Sequence, residues 1–296
     1  MAYKLTHLAL LVFTLITATF PYNIKANALP PADIFISSAA LMQADTLLVR
    51  VKNEPGAVTG NLGNVPLRFF RSEDQKDWLA LVGMPVNKKP GNYKLKVKVQ
   101  NKMPFQKSIS VSKRDFPKTA MVITPELVQK GYTAKKIITN IANKENTLLR
   151  LTMAPISKKT YVTKPFIYPL AQINVTGPFG DIRASKNYKI QHLGVDLRAP
   201  VGTPVFAANN GKVALATSFP NYGNTIIIDH GLGVYSLYLH LSEFNVAPGH
   251  MVAQGDTIGL AGGSGYATGP HLHFSIKVRG AALDPLAFIK TTQTGW

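Results

Sequence analysis

The chain has 296 residues, no cysteine and a formal net charge of +18. That length is long for one compact core and points to two domains, or one domain with extensions. The absence of cysteine excludes disulfides and cysteine-linked lipid, and leaves histidine and carboxylate as the material for any metal site.

The chain begins with Lys4, an apolar run from Leu8 to Phe20 and a small-x-small site at Ala26-Asn27-Ala28. This pattern predicts a secretory signal peptide over residues 1–28, cleaved after Ala28. The competing reading, an uncleaved anchor, is disfavoured because the apolar run is about 13 residues against the roughly 20 a membrane span needs. Export to the periplasm or cell envelope, or secretion, is therefore expected for the remainder.

Residues 29–112 carry the punctuation and alternation of short strands. In "YKLKVKVQ", Tyr93, Leu95, Val97 and Val99 alternate with Lys94, Lys96 and Lys98, the period-2 signature of a half-buried strand. Phe105 to Val111 supplies a hairpin partner, and "DTLLVRVKN" and "VPLRFF" supply further strands. A small β-sandwich-like module is expected. Residues 113–164 change texture: Thr124-Pro125-Glu126 reads as an N-cap with proline at the first helical position. Ile137, Ile138, Ile141, Leu148 and Leu149 then recur at roughly helical spacing. This segment is expected to be a helical connector. Residues 165–296 are rich in Gly, Pro and short β-branched runs such as "NTIIIDHG", which argue for an all-β sheet rather than βαβ units. The predicted fold class is mainly β.

Charge is unevenly placed. Residues 29–164 hold 23 Lys+Arg against 9 Asp+Glu, a net +14, and residues 165–296 hold 8 against 6, a net +2. A basic first half suggests a polyanionic contact, such as wall polymer or an anionic membrane surface; the bland reading is a well-solvated surface. Nucleic acid is disfavoured for an exported chain with no nucleic-acid motif.

Apart from His7, all histidines lie between residues 192 and 273: His192, His230, His240, His250, His271 and His273. In "HLGVDLRAP", His192 and Asp196 are four apart, and on one strand they would share a face. The pair suits zinc, although taken alone it is better read as a surface histidine and a turn-forming aspartate. In "HLH", His271 and His273 face one side of a strand about 6.5–7 Å apart. Together the two elements supply three ligands and leave one position open for water, the arrangement of a catalytic site. "SLYLHLS" adds His240; with Leu237, Leu239 and Leu241 facing the core, Tyr238 and His240 are expected to face the other way.

"HLGVDLRAP", "YLHLS" and "GSGYATGPHLHF", in this order, resemble the lysostaphin-type (LytM-like) zinc metallopeptidases that cleave peptide cross-links of bacterial cell walls. The resemblance covers about residues 165–290. It implies an antiparallel β-sheet catalytic domain, Zn2+ held by His192, Asp196 and His273, and His240 and His271 as catalytic histidines. It implies peptidoglycan peptides as substrate and attack by a metal-held water; Glu243, the only glutamate after residue 165, is placed next to a loop, so histidine does the acid-base work. His230 is expected to stabilise a turn, and His250 sits in a tight turn where the family more often has an acid. Gly262, Gly263, Gly265 and Gly269 are expected to let backbone approach the substrate or turn sharply. The rival from another class is a catalytically silent member that activates other wall hydrolases. Glycan cleavage is disfavoured because no carboxylate pair accompanies these motifs. The basic N-terminal half would either recruit the enzyme to anionic wall material or cover the zinc groove.

Overall fold

Alternation decides which side of each N-terminal strand is wet. In the strand Gly91–Val99, Leu95, Val97 and Val99 are buried while Lys94, Lys96 and Lys98 are exposed. The strand pairs with Phe105–Ser112 in a five-stranded sheet. A four-stranded sheet built on Thr46–Val51 and Trp78–Gly83 packs over it, with Leu47, Val49 and Val82 meeting Leu95, Val97 and Ile109 in one apolar cluster. The computed structural model that gives this architecture describes residues 29–157 and 159–296; the signal peptide expected over residues 1–28 lies outside the described residues.

The run "TLLVRV" is buried almost throughout, because the four-stranded sheet is covered on both faces. Its second face, with Leu48, Leu79 and Leu81, joins the main core together with Phe166, Leu283 and Phe288. The C-terminal helix Pro285–Gly295, capped by Asp284, is wedged there. Gly83 makes this fit possible: a Cβ on it would lie 2.8 Å from Leu283 Cδ2. Arg114 completes the junction by pairing with Asp45 and, at 3.0 Å, with Asp284. The two halves of the chain therefore share one core.

The helical segment forms where its caps predict. Thr124 accepts from Leu127 N and starts Pro125–Gln129; Thr133 accepts from Lys136 N and starts Ala134–Asn140. A π-helical turn, Ile141–Glu145, leads into Asn146–Thr152. The segment is more than a connector, since it lies across one face of the large sheet. Ile137 and Ile141 pack against Ile190, Tyr222 and Tyr266, and Leu149 packs against Leu237 and Leu239. Residues 118–120 within it form a strand paired in parallel with Ile182–Ser185.

The remaining chain builds a ten-stranded sheet whose central run is Val195–Arg198, His271–Val278, Val234–Phe244, Gly223–Asp229 and Gly211–Phe219. These neighbours pair antiparallel. One face, with Ile226, Tyr238, Phe274 and Ile276, belongs to the main core. The opposite face carries His240, His271 and His273.

His230 does more than hold a turn. It is fully buried, its ring bonded to Asn210 O at 2.7 Å and Ser236 Oγ at 2.8 Å and edge-on to Phe166. Burial pushes its pKa down to about 4. An unfolded histidine binds a proton below about 6.5 while the folded one does not, so stability is lost as pH falls from about 6.5 towards 4, by on the order of 3 kcal/mol for this group. Urea unfolding between pH 7.5 and 4.5 should show a shallower pH slope for His230→Asn than for the native chain; equal slopes would remove His230 as the source.

Candidate metal centre

His192 and Asp196 meet by a route other than shared strand parity. The strand Tyr188–Gln191 ends one residue before His192, and Asp196 lies in the next strand, Val195–Arg198. Between them the chain leaves a three-stranded sheet and enters the large one. His192 is fixed at this crossing by backbone bonds to Gly180 and Asp181. Gly194 allows the turn, since a Cβ there would sit 2.4 Å from His273 Nε2 and 2.4 Å from Ser275 Oγ.

Register supplies the third group. Asp196 lies directly opposite His273, and Arg198 opposite His271, on adjacent antiparallel strands. His192 Nε2 is 2.9 Å from Asp196 Oδ1 and 2.8 Å from His273 Nδ1, and Asp196 Oδ1 is 3.0 Å from His273 Nδ1. Two imidazole nitrogens and one carboxylate oxygen form a hard-to-borderline donor set. Bonds of about 2.0–2.1 Å to a tetrahedral ion place ligand atoms roughly 3.3 Å apart, so these residues fit a divalent metal after opening by a few tenths of an ångström. Among the described residues these three form the metal-capable group; His271 Nε2 stands beside it, 3.6 Å from Asp196 Oδ1.

Each imidazole is held by a partner on its other nitrogen. His192 Nδ1 donates to Pro178 O at 2.9 Å, and His240 Nδ1 to Ser264 O at 2.8 Å. His271 Nδ1 donates to Gly269 O at 2.8 Å, and His273 Nε2 to Ser275 Oγ at 2.9 Å. Four lone pairs are thereby left for the site. Burial works against a charged Asp196, but the bonds and charges of His192 and His273 outweigh it and hold the carboxyl well below the usual range. Burial, with His192 and His271 nearby, pushes His273 down to about 4 despite Asp196. Burial, His271 and His273 push His240 to about 3. Neutral His240 and His273 and an ionised Asp196 are protonation states compatible with metal binding.

The expected direction of "SLYLHLS" is corrected by a bulge. Tyr238 points into the main core, where Ala208 N and Ser236 Oγ donate to its hydroxyl. His240 instead lines the site cavity with Leu237 and Leu239. The cause is a break in register: Tyr238 pairs with Ile226 but Leu241 pairs with Asn224, and His240 adopts φ +64°. Strict alternation fails across such an extra residue. His240 and His271 stack with ring centroids 4.8 Å apart. Glu243 lies exposed at the end of the strand Val234–Phe244, next to the loop that follows, and His250 lies exposed in its turn. Of the loop glycines, Gly265 adopts φ +76°, and a Cβ there would meet Asn221 O at 2.4 Å.

Two participants escape sequence reasoning. Ser275 takes the His273 N–H and donates to Leu193 O at 2.8 Å; its place two residues after His273 on one strand was the available signal. Arg183 pairs with Asp196 Oδ2 at 2.8 Å and with Asp181 at 3.3 Å, holding the carboxylate so that Oδ1 faces the histidines. No spacing rule marks it.

The family model for peptidase family M23 matches residues 190–285, the span that contains the four site histidines and Asp196. Residues 190–285 thus form a peptidase family M23 domain. It is 36% identical over 129 residues to the DD-carboxypeptidase/endopeptidase Mpg of Neisseria meningitidis, covering 41% of this chain and 28% of that protein. It is 41% identical over 95 residues to the peptidoglycan DD-endopeptidase ShyA of Vibrio cholerae, covering 32% and 22%. The chain thus spans about a quarter of the length of these curated relatives. A crystal structure of a Pseudomonas aeruginosa protein assigned to peptidase M23 matches with TM-score 0.55 at 27% identity, over 84% of this chain and 94% of that one. That likeness extends well beyond the M23 span and supports the mainly β architecture as a whole.

Outer partners that fix a histidine's tautomer typically contribute 10–100-fold to metal affinity. Ser275→Ala should weaken metal binding by about that factor in competition with a chelator, with the fold retained by circular dichroism. Unchanged affinity would show that His273 needs no such anchor.

Proposed function

We propose that the chain is a zinc-dependent endopeptidase that hydrolyses peptide cross-links or stem peptides of bacterial peptidoglycan. The observation that carries this reading is the convergence of His192, Asp196 and His273 on one point, with the free nitrogens of two further histidines beside it. The names of the M23 relatives, a carboxypeptidase/endopeptidase and a peptidoglycan DD-endopeptidase, supply the substrate class. The complete donor set argues against the silent-activator reading.

His192 Nε2, Asp196 Oδ1 and His273 Nδ1 would hold the ion, whose N/O set and open side suit a catalytic zinc. When bound, zinc polarises the scissile carbonyl and acidifies the attacking water. His271 is the proton carrier. Its Nε2 faces the site as an acceptor, and it is less buried than His240, so its charged form keeps some solvation. It accepts the proton of the water and returns it to the leaving amine. His240, held neutral by burial and fixed to Ser264 O, presents only an acceptor and orients the water. Arg183 orients Asp196 through its Oδ2. The helical segment and Tyr266 wall the cavity and limit bulk water.

Metal-loaded protein incubated with purified peptidoglycan should release peptides with new amino termini and no new reducing sugars. His271→Ala should retain its metal yet lose roughly 10²–10⁴-fold in turnover. Release of reducing ends alone, or full activity in His271→Ala, would defeat the assignment.

The exposed row Lys94, Lys96 and Lys98 supports recruitment of the exported chain to anionic wall polymer or membrane surface. Replacing all three by glutamine should lower co-sedimentation with wall material and flatten its salt dependence. Unaltered sedimentation would leave the basic half as a solvated surface.

A further inference from the structure

Strand parity places one more charged residue in line with the metal ligands. On His271–Val278, the residues His271, His273, Ser275 and Lys277 share a face, and all four line one cavity of about 1120 Å³. Lys277 lies opposite Tyr235 on the neighbouring strand, four pairs beyond Leu239 and His273. Four residues at about 3.3 Å each put it about 13 Å from His273 along the strand, the length of three to four residues of an extended peptide.

The surroundings of Lys277 are apolar. Leu149 from the helical segment and Leu237 and Leu239 from the sheet share its cavity. Lys277 is half-buried, and burial alone pushes its ammonium below the ordinary lysine range. Among the described residues no carboxylate or carbonyl pairs with it. Arg183, the half-buried cation nearer the metal group, is by contrast bonded to two aspartates. An ammonium drawn into an apolar pocket without a partner is unfavourable in the free protein and gains most from an incoming anion.

We infer that Lys277 is a specificity-determining residue that binds a carboxylate of an acidic peptide substrate three to four residues from the bond cut at the histidine cluster. The inference rests on the peptidase reading. It requires no change in the chemistry at the metal; it selects which peptide lies in the groove.

The test uses the full metal-loaded chain with Lys277→Met, which removes the charge at similar volume, and Lys277→Arg, which keeps it. Thermal unfolding checks that each variant is folded. Each receives a wall-derived cross-linked peptide with free side-chain carboxylates and the same peptide with them amidated. Cleavage is read by mass spectrometry, and binding by calorimetry on the same proteins carrying His271→Ala in addition. The native chain should prefer the carboxylate form roughly tenfold or more. Lys277→Arg should keep that preference, and Lys277→Met should bring the ratio near one. Equal treatment of both peptides by the native chain, or a preference that survives in Lys277→Met, overturns the inference. Cleavage of neither peptide counts against the peptidase reading, while the binding ratio still decides the role of Lys277.

Discussion

The site depends on one register: Asp196 facing His273 across two adjacent antiparallel strands. A one-residue slip would turn every side chain of His271–Val278 to the opposite face, carrying both histidines into the core and Leu272 and Phe274 towards the cavity. Burial forbids it. Leu272, Phe274 and Ile276 are fully enclosed, so the apolar side of the strand fixes the polar side. The metal-capable group is thus positioned by hydrophobic packing it does not touch. The polar contacts refine the result, with Ser275, Pro178 O, Ser264 O and Gly269 O each removing one ring nitrogen from competition.

The N-terminal half contributes to this site in two ways. Its four-stranded sheet closes the main core from below through Leu48, Leu79 and Leu81. A fragment starting near residue 165 would therefore expose the apolar surface around Phe288 that these residues cover. The helical segment closes the site from above, where Leu149 covers Leu237 and Leu239. The cavity is accordingly a product of both halves of the chain. Its walls are set by residues outside the M23 span as well as by those within it.

What the sequence made legible was chemistry concentrated in short motifs. "HLH" and the spacing of His192 and Asp196 nominated the residues that the fold brings within about 3 Å of one another, and the lysine alternation identified Gly91–Val99 as a half-exposed strand. What stayed hidden was whatever depends on a break in regularity or on distant partners. The four-residue spacing suggests one strand for His192 and Asp196, although the chain changes sheets between them. Alternation puts Tyr238 on the histidine face only if it runs through a bulge that pairing with Gly223–Asp229 creates. Arg183 reaches Asp196 from another sheet, and no local pattern records that contact. The helical segment carried a visible period, but its partner surface lies some 80 residues further along the chain.

The irregularity at His240 also explains the buried glutamate in that helical segment. A non-glycine residue in the left-handed region costs roughly 1–2 kcal/mol, so His240 at φ +64° needs external support. Its N–H donates to Tyr222 O at 3.1 Å, and its ring to Ser264 O. The loop carrying Tyr222 is in turn fastened by Glu145, whose carboxylate accepts from Asn221 N at 2.8 Å, Asn221 Nδ2 at 2.9 Å and Tyr222 N at 3.2 Å. Burial raises the pKa of Glu145, and the bonds from Asn221 and Tyr222 offset part of that rise. Glu145 is the last residue of the π-helical turn, and such turns place a residue where a regular helix would not. The sequence of constraints runs from an irregular helix, through one buried carboxylate and one loop, to an irregular strand and the orientation of a histidine. Each departure from ideal geometry is held by the next, which is why regularity-based rules fail at both ends of the same chain of contacts.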